Sequence, residues 1–158
     1  MNMRRQLNLK FEGVVPKSNK PFVPDSMKSN GHWEFPDKMG VGVGFIYIIY
    51  DTALNRGYIG KKTYITKKND WRTYKSSSKL LKEMFRERPI EEFRFICLEQ
   101  YNTKGTLSYA ETWSLCAAEA PTSTAWYNTL IPKVSWAVKE PISDRHKDRL
   151  KEIIDEIN

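Results

Sequence analysis

The stretch FIYIIYDTALNRGYIGKKTY, residues 45–64, contains the strongest structural signal in this 158-residue chain. Two apolar, aromatic-rich runs, Phe45–Tyr50 and Tyr58–Tyr64, flank a short polar connection that contains Asn55 and Gly57. Because β-branched and aromatic residues favour strands, the stretch predicts a β-hairpin. Both faces of the first run are hydrophobic, which predicts a central strand that is covered on both sides.

The second run of the hairpin turns abruptly polar. Tyr58, Ile59 and Gly60 are followed at once by Lys61 and Lys62. Two ammonium groups beside a glycine, at the point where a strand leaves the core, predict a surface that receives an anion.

The charge of the chain points in the same direction. Lysine and arginine number 26 against 19 aspartates and glutamates, which gives a net charge of +7 and a pI near 9.4. Such a balance favours a nucleic acid or an anionic membrane surface as partner, or simply a solubilising surface. No apolar run approaches the roughly 18–20 residues that cross a bilayer, and the N-terminus has no apolar signal core, so we expect no membrane-spanning segment and favour a nucleic acid over a membrane as partner.

Cysteine and histidine restrict the chemistry. Cys97 and Cys116 each lie in an apolar context, which predicts two buried free thiols and a reducing, cytoplasmic compartment. His32 and His146 have no cysteine or carboxylate at metal-ligand spacing, so we expect no zinc site.

Composition divides the chain into three parts. We predict a basic, partly extended arm over residues 1–42, a compact domain over 43–132, and a linker with a C-terminal amphipathic helix over 133–158. Trp33 and Phe35 are expected to anchor the end of the arm. The arm's basic residues contact phosphates or keep the arm soluble: Arg4, Arg5, Lys10, Lys17, Lys20 and Lys28.

Periodicity predicts the elements after the hairpin. Lys79–Arg88 reads as a helix ended by Pro89, with Leu80, Leu81, Met84 and Phe85 as a core-facing stripe. Phe93–Gln100 reads as a third strand, and Thr106–Ala118 as a second helix. Ser143–Asn158 reads as an amphipathic helix that packs on the domain or on a second subunit.

The second helix contains an anomaly. At about 100° per residue its inward stripe comprises Leu107, Ala110, Ser114, Ala117 and Ala118, and Glu111 lies within that stripe. A carboxylate on an apolar face is costly unless it is paired or binds a metal. The spacing alone leaves open a buried salt bridge to a basic residue of the hairpin.

Several segments in order resemble the motifs of the GIY-YIG nuclease superfamily. Phe45-Ile46-Tyr47 and Tyr58-Ile59-Gly60 match its paired motifs, with the tyrosines eleven residues apart, and WRTYKSSSKLL, FRFICLE, LSYAE and AWYN follow. The resemblance covers about 43–132 and is closest to small phage-encoded members related to free-standing homing endonucleases. It implies an α+β fold, a three-stranded antiparallel sheet flanked by helices.

The resemblance also implies an activity: metal-dependent endonucleolytic cleavage of double-stranded DNA, in a bacterial host's cytoplasm if phage-encoded. Tyr47 would be the general base for the attacking water, Tyr58 its hydrogen-bonding partner, and Asn128 a further polar site residue. Glu111 would be the single ligand of Mg²⁺, or of Mn²⁺. Since a tyrosine has a pKa near 10, we expect Lys61 and Lys62 to lower the pKa of Tyr47.

The sequence departs from the family pattern in four ways. Phe45 replaces the first-motif glycine, and Asp70 stands in the place of the catalytic arginine, so Arg72 is the substitute, or else Lys61 or Lys62. Tyr74 replaces a frequent histidine. Only 133–158 remains for target recognition, which predicts low sequence specificity, or specificity borrowed from a homodimer or partner.

Aromatic and basic residues interleave after the hairpin, as in nucleic-acid-binding surfaces. Trp71 and Tyr74 are expected on one side of a short helix or turn, with Arg72 pointing outwards. The predicted DNA-binding residues are Lys61, Lys62, Lys67, Lys68, Trp71, Tyr74 and Lys75. The alternatives are a nucleic-acid-binding module that kept the fold without catalysis, and a structural or partner-binding protein.

Overall fold

The computed structural model describes residues 30–68 and 70–157, and its centre is a three-stranded antiparallel sheet. The strands β1 (Gly44–Asp51), β2 (Arg56–Thr63) and β3 (Phe93–Tyr101) lie in the order β2-β1-β3. β1 and β2 form the predicted hairpin, with Tyr47 opposite Gly60. The α+β fold with a three-stranded antiparallel sheet flanked by helices is thereby confirmed.

The central strand separates two hydrophobic clusters. All eight residues of β1 are buried, and their side chains alternate between the two faces of the sheet. Ile46, Ile48 and Tyr50 face one cluster. Phe45 and Tyr47, together with Ile49, face the other. The prediction that both faces of this strand are covered is confirmed.

The structure describes three α-helices: α1 (Lys79–Glu87), α2 (Lys104–Ala117) and α3 (Asp144–Ile157). Ser78 caps α1, since its side chain accepts a hydrogen bond from the backbone N–H of Leu81 at 3.4 Å. The predicted core stripe of α1 is correct only in part, because Leu81 is fully buried and Leu80 is 48% exposed. The helix touches the sheet along one narrow side, where Met84 and Phe85 are half-buried.

The segment that precedes the sheet is pinned to β3. The backbone N–H of Glu34 donates to the Phe95 carbonyl at 2.8 Å, and the N–H of Cys97 donates to the Glu34 carbonyl at 3.1 Å. Trp33 and Phe35 are buried on either side of this bridge, so their predicted anchoring role is confirmed. The basic residues predicted for the arm between 1 and 29 lie outside the described residues.

Helix α3 packs on the domain itself. Its His146 is fully buried between β3 and α2, where its two ring nitrogens lie 2.8 Å from the Tyr101 hydroxyl and 2.6 Å from the Ser114 hydroxyl. Burial lowers the pKa of His146 to about 3, so the ring is neutral at pH 7. None of the helices in the described ranges is long and apolar enough to cross a bilayer.

The two cysteines differ in exposure. Cys97 is fully buried in β3, as predicted, whereas Cys116 is exposed near the end of α2, so the prediction for Cys116 is wrong. Ala117, predicted on the inward stripe, is exposed as well. Both residues lie in the last turn of α2, where the chain leaves the sheet before the short 3-10 turn Ala120–Thr122.

Candidate active site at the free edge of the sheet

Gly60 makes room for the first-motif tyrosine. A Cβ atom built on Gly60 would lie 2.4 Å from both Cζ and the hydroxyl oxygen of Tyr47. The Tyr47 ring therefore lies across β2, with its hydroxyl above the glycine. This contact gives the paired motifs a physical reason: the second needs a glycine because the tyrosine of the first occupies the side-chain space there.

Three tyrosines converge on this face of the sheet. The ring centroid of Tyr47 lies 6.3 Å from that of Tyr58 and 6.0 Å from that of Tyr74. The Ser76 side chain lies within hydrogen-bonding reach of the hydroxyls of both Tyr47 and Tyr58, and the Tyr74 hydroxyl is close to that of Tyr47. The cluster joins β1 and β2 to the segment that precedes α1.

The pKa of Tyr47 is not lowered as predicted. Tyr47 is 1% exposed, and burial raises its pKa well above the usual value of 10.0. The two lysines lie elsewhere: Lys61 reaches the opposite face and donates to Ser108 at 2.8 Å, whereas Lys62 stacks on the Tyr74 ring at 4.5 Å. The expected lowering by Lys61 and Lys62 is therefore wrong for the protein without substrate.

Glu111 lies at the same edge, on the α2 side of the sheet. It is 8% exposed and forms no ion pair with any residue in 30–68 or 70–157, so the alternative of a buried salt bridge is not realised. Burial raises the pKa of Glu111, while the charge of Lys61 and a hydrogen bond from its backbone N–H act in the opposite direction. The same carboxylate contributes to the raised pKa of Tyr58, whose largest cause is burial.

The residues around Glu111 are suited to a hard cation that keeps most of its waters. Within the described part of the chain no three histidines, cysteines, aspartates or glutamates converge on one point. Magnesium is held by one or two carboxylates and retains several waters, so a single buried, unpaired glutamate at an open edge fits it. A zinc ion would need more protein ligands than this edge supplies.

Asn128 continues the sheet beyond β2. Its side-chain oxygen accepts from the backbone N–H of Ile59 at 2.8 Å, and its side-chain nitrogen donates to the Ile59 carbonyl at 2.8 Å. Just before it, the Gly57 N–H donates to Ala125, and the Tyr127 N–H donates back to Gly57. The side-chain amide of Asn128 thus pairs with β2 as the backbone of a neighbouring strand would. Two residues further along β2, the Lys61 N–H faces Glu111.

Replacing Asn128 by alanine removes both hydrogen bonds to Ile59. We expect a loss of about 1–3 kcal/mol in the free energy of unfolding, because two buried backbone groups lose their partners. Asn128→Asp keeps the acceptor and loses the donor, so it should fall between the wild type and the alanine variant. Chemical denaturation of the three proteins measures this order, and an alanine variant as stable as wild type would contradict the edge-capping role.

The contacts described for Arg72 are local ones, and its proposed catalytic role stays a prediction. Its guanidinium lies 4.4 Å from the centroid of the Trp71 ring and 3.5 Å from the carboxylate of Asp70, and its carbonyl accepts from the His32 N–H. Asp70 itself caps the 3-10 turn Trp71–Thr73. The residue in the place of the family's arginine is therefore a local capping group.

Trp71 belongs to the core and not to the exposed surface. It is 6% exposed, and its ring packs against Tyr64 and Phe45 at centroid distances of 5.0 and 6.2 Å. A ring enclosed in this way cannot stack on a nucleic-acid base, so its predicted DNA contact is wrong. Tyr74 is half-buried against the same cluster, with one ring face under Lys62.

A basic cleft of about 570 Å³ opens beside the tyrosines. Four lysines and one aspartate supply its charges, and hydroxyl groups supply most of the rest; the lining residues are Lys62, Lys68, Asp70, Thr73, Tyr74, Lys75, Ser76, Ser77 and Lys82. Lys67 is exposed next to the cleft. Two lining residues, Lys82 and Ser76, were not predicted from the sequence. Lys82 could have been found, because it lies one turn into a helix whose cap, Ser78, is recognisable in the sequence. No feature of the sequence points to Ser76.

The sequence of this chain matches one known family. The family described as "Putative endonuclease segE, GIY-YIG domain" matches residues 30–131, which is more than half of the chain. The chain therefore belongs to the GIY-YIG family, and this membership indicates a nuclease. No curated protein and no protein of solved structure matches the chain.

Proposed function

We propose that this GIY-YIG protein is a metal-dependent endonuclease that hydrolyses phosphodiester bonds of double-stranded DNA by attack of water. One observation supports the proposal: the Tyr47 hydroxyl lies over Gly60 of β2 next to Tyr58, and the Glu111 carboxylate, which has no ion pair among the described residues, is close enough to act on Tyr58 and accepts from the Lys61 N–H. A cleft lined by four lysines opens next to them. Phosphodiester hydrolysis requires a group that accepts a proton from water, and positive charge for the phosphoryl oxygens.

Each side chain at this edge has a defined task in the proposal. Glu111 holds a Mg²⁺ or Mn²⁺ ion, which when bound supplies positive charge to the phosphoryl oxygens. Tyr47 takes the proton of the attacking water, and the Tyr58 hydroxyl orients that water or the phosphate by hydrogen bonding. Lys61, on the Glu111 side, and Lys62, on the tyrosine side, flank the phosphate from opposite faces of β2.

The protonation state of Tyr47 places a condition on this chemistry. Burial holds its pKa well above 10, so the phenol is neutral at pH 7 in the free protein. A phenolate at this position needs positive charge that the free protein does not supply. A divalent ion held by Glu111 would supply such charge, and we propose that Tyr47 acts as a base only when DNA is in place.

The cleft lysines are proposed to bind the DNA backbone next to the scissile phosphate. Each lysine that neutralises a phosphate releases a counterion, so binding weakens with salt, with a slope of about −0.9 per contact on a double-logarithmic plot. Replacing Lys68, Lys75 and Lys82 together by alanine should reduce the steepness of that slope by about 2 to 3.

A matched control carries the same loss of charge elsewhere. Lys133, Lys139 and Lys147 are exposed, and none of them lines the cleft. Their triple alanine variant should keep most of the wild-type slope in fluorescence-anisotropy titrations with a DNA duplex between about 50 and 200 mM salt. Equal slopes for the two triple variants would show that the net charge, and not the cleft, binds DNA.

Cleavage of supercoiled plasmid tests the reaction class. We expect relaxed or linear plasmid with magnesium or manganese and none with a chelator. The competing function is a binding module that does not cut, and the specific observation in its favour is Asp70 in the place of the family's arginine. Salt-sensitive gel shifts without cleavage under any metal would establish that alternative. A phage origin, the bacterial cytoplasm and a homodimer are further parts of the proposal.

A further inference from the structure

Ser76 has a backbone conformation that serine rarely adopts. Its φ is 88°, a region where residues with a Cβ are strained and glycine is not, and its side chain is 5% exposed. Non-glycine residues held in such a conformation cluster at functional sites. Glycine would meet the backbone requirement better, so a property of the serine side chain has to account for this residue.

The contacts of the hydroxyl supply that property. The Ser76 hydroxyl lies within hydrogen-bonding reach of the hydroxyls of Tyr47 and Tyr58, and its Oγ accepts from the Ser78 N–H at 3.1 Å. A serine hydroxyl has one proton, so it donates to one phenol at a time. Ser76 lies on the wall of the lysine-lined cleft, together with Tyr74.

We infer that Ser76 is a positioning residue of the nuclease site, whose hydroxyl fixes the orientation of the Tyr47 and Tyr58 hydroxyls and donates a hydrogen bond to whichever of the two oxygens carries negative charge. This inference rests on the proposed function. A hydrogen bond to a charged oxygen is stronger than one to a neutral oxygen, so the contribution is larger during proton transfer than in the resting protein. The strained backbone brings the hydroxyl within reach of both phenols.

Two substitutions separate the hydroxyl from the backbone strain. Ser76→Ala removes the hydroxyl and keeps the Cβ, whereas Ser76→Gly removes the hydroxyl and relieves the strain. We expect both variants to lose about ten-fold in kcat with KM for a DNA duplex unchanged, and the glycine variant to melt at a higher temperature than the alanine variant. A glycine variant that cleaves as fast as wild type would overturn the inference.

Ser78→Ala is the structural control. Ser78 caps α1 two residues away, and its side chain, unlike that of Ser76, is not among the groups that act on Tyr47 or Tyr58. Its loss should lower the melting temperature and leave kcat close to wild type. A loss of kcat equal to that of Ser76→Gly would mean that any loosening before α1 impairs the site, and would overturn the inference as well.

A spectroscopic readout separates this inference from the nuclease proposal. In protein labelled at tyrosine Cζ, Ser76→Gly should shift the NMR signals of Tyr47 and Tyr58, and Ser78→Ala should leave both in place. If wild type cuts no DNA, the nuclease proposal fails and these signals still decide whether Ser76 holds the hydroxyls. Unchanged signals in Ser76→Gly would refute the positioning role whatever the cleavage result.

Discussion

Replacing Glu111 by glutamine should lower DNA cleavage by at least about a hundred-fold and, at pH 7, make the protein more resistant to unfolding. The loss of activity follows from removing the only carboxylate proposed to hold the metal. The gain in stability follows from burial: Glu111 is 8% exposed and has no ion pair among the described residues. Glutamine keeps the shape of the side chain without a buried charge.

The stability gain should depend on pH in a defined direction. Burial raises the folded-state pKa of Glu111 above its usual value of 4.5, so the folded protein holds this proton more tightly than the unfolded chain does. The contribution of Glu111 to stability is therefore greatest below pH 4.5 and falls as pH rises through the folded pKa. Consequently Glu111→Gln should melt higher than wild type at pH 7 in chelator, with the difference shrinking towards pH 4.

Thermal unfolding followed by circular dichroism at several pH values measures this difference. A Glu111→Gln variant that melts below wild type at pH 7 would show that the carboxylate is a paired structural group. Loss of cleavage in a variant of equal or higher stability would assign the defect to chemistry and not to folding.

Replacing Gly60 by alanine should both destabilise the protein and remove cleavage. The new Cβ would lie 2.4 Å from Tyr47 Cζ and its hydroxyl oxygen, so the tyrosine has to leave its position or the strands have to separate. Overpacking of this kind costs about 1–3 kcal/mol of unfolding free energy. We expect at least about a hundred-fold slower cleavage, because the reacting hydroxyl is displaced by more than an ångström.

A double-mutant cycle with Tyr47 tests the cause of the destabilisation. In a Tyr47→Ala background the clash partner is absent, so adding Gly60→Ala should cost far less unfolding free energy than it does in wild type. Equal costs in the two backgrounds would show that alanine at position 60 is harmful for a reason other than Tyr47. Tyr47→Phe supplies the activity control, since it should lose cleavage while keeping the ring in place.

The sequence was sufficient to predict the hairpin, and with it most of the fold. The spacing of apolar residues along a strand or a helix is a local property that the sequence displays directly. For this reason the predicted strands and the approximate extents of the predicted helices agree with β1, β3, α1, α2 and α3 of the structure. The burial of Glu111 could also be predicted from helical periodicity, because the sequence shows one charged residue on an otherwise apolar helical face.

What could not be predicted depends on contacts between distant segments. Lys61 and Lys62 are adjacent in sequence, but successive strand residues point to opposite faces, and only the packing of Ser108 and Tyr74 decides what each lysine meets. Trp71 looks like a surface aromatic until residues 30–35 and the hairpin enclose it. The positive φ of Ser76 has no signature in sequence, because glycine is the usual residue there.

The distribution of positive charge is also a property of the fold. Lys62, Lys68, Lys75 and Lys82 come from β2, the following loop and α1, and converge on one cleft beside the tyrosines. In the proposed reaction these lysines and Lys61 supply positive charge to the phosphate.

Whether this protein is a metal-dependent endonuclease is decided by following supercoiled-plasmid cleavage by wild type and Glu111→Gln in parallel, with magnesium and with chelator, and by measuring DNA binding in the same samples. We expect magnesium-dependent relaxation or linearisation by wild type only, with both proteins binding DNA. Cleavage that persists in chelator, or that Glu111→Gln performs at the wild-type rate, would contradict the proposal.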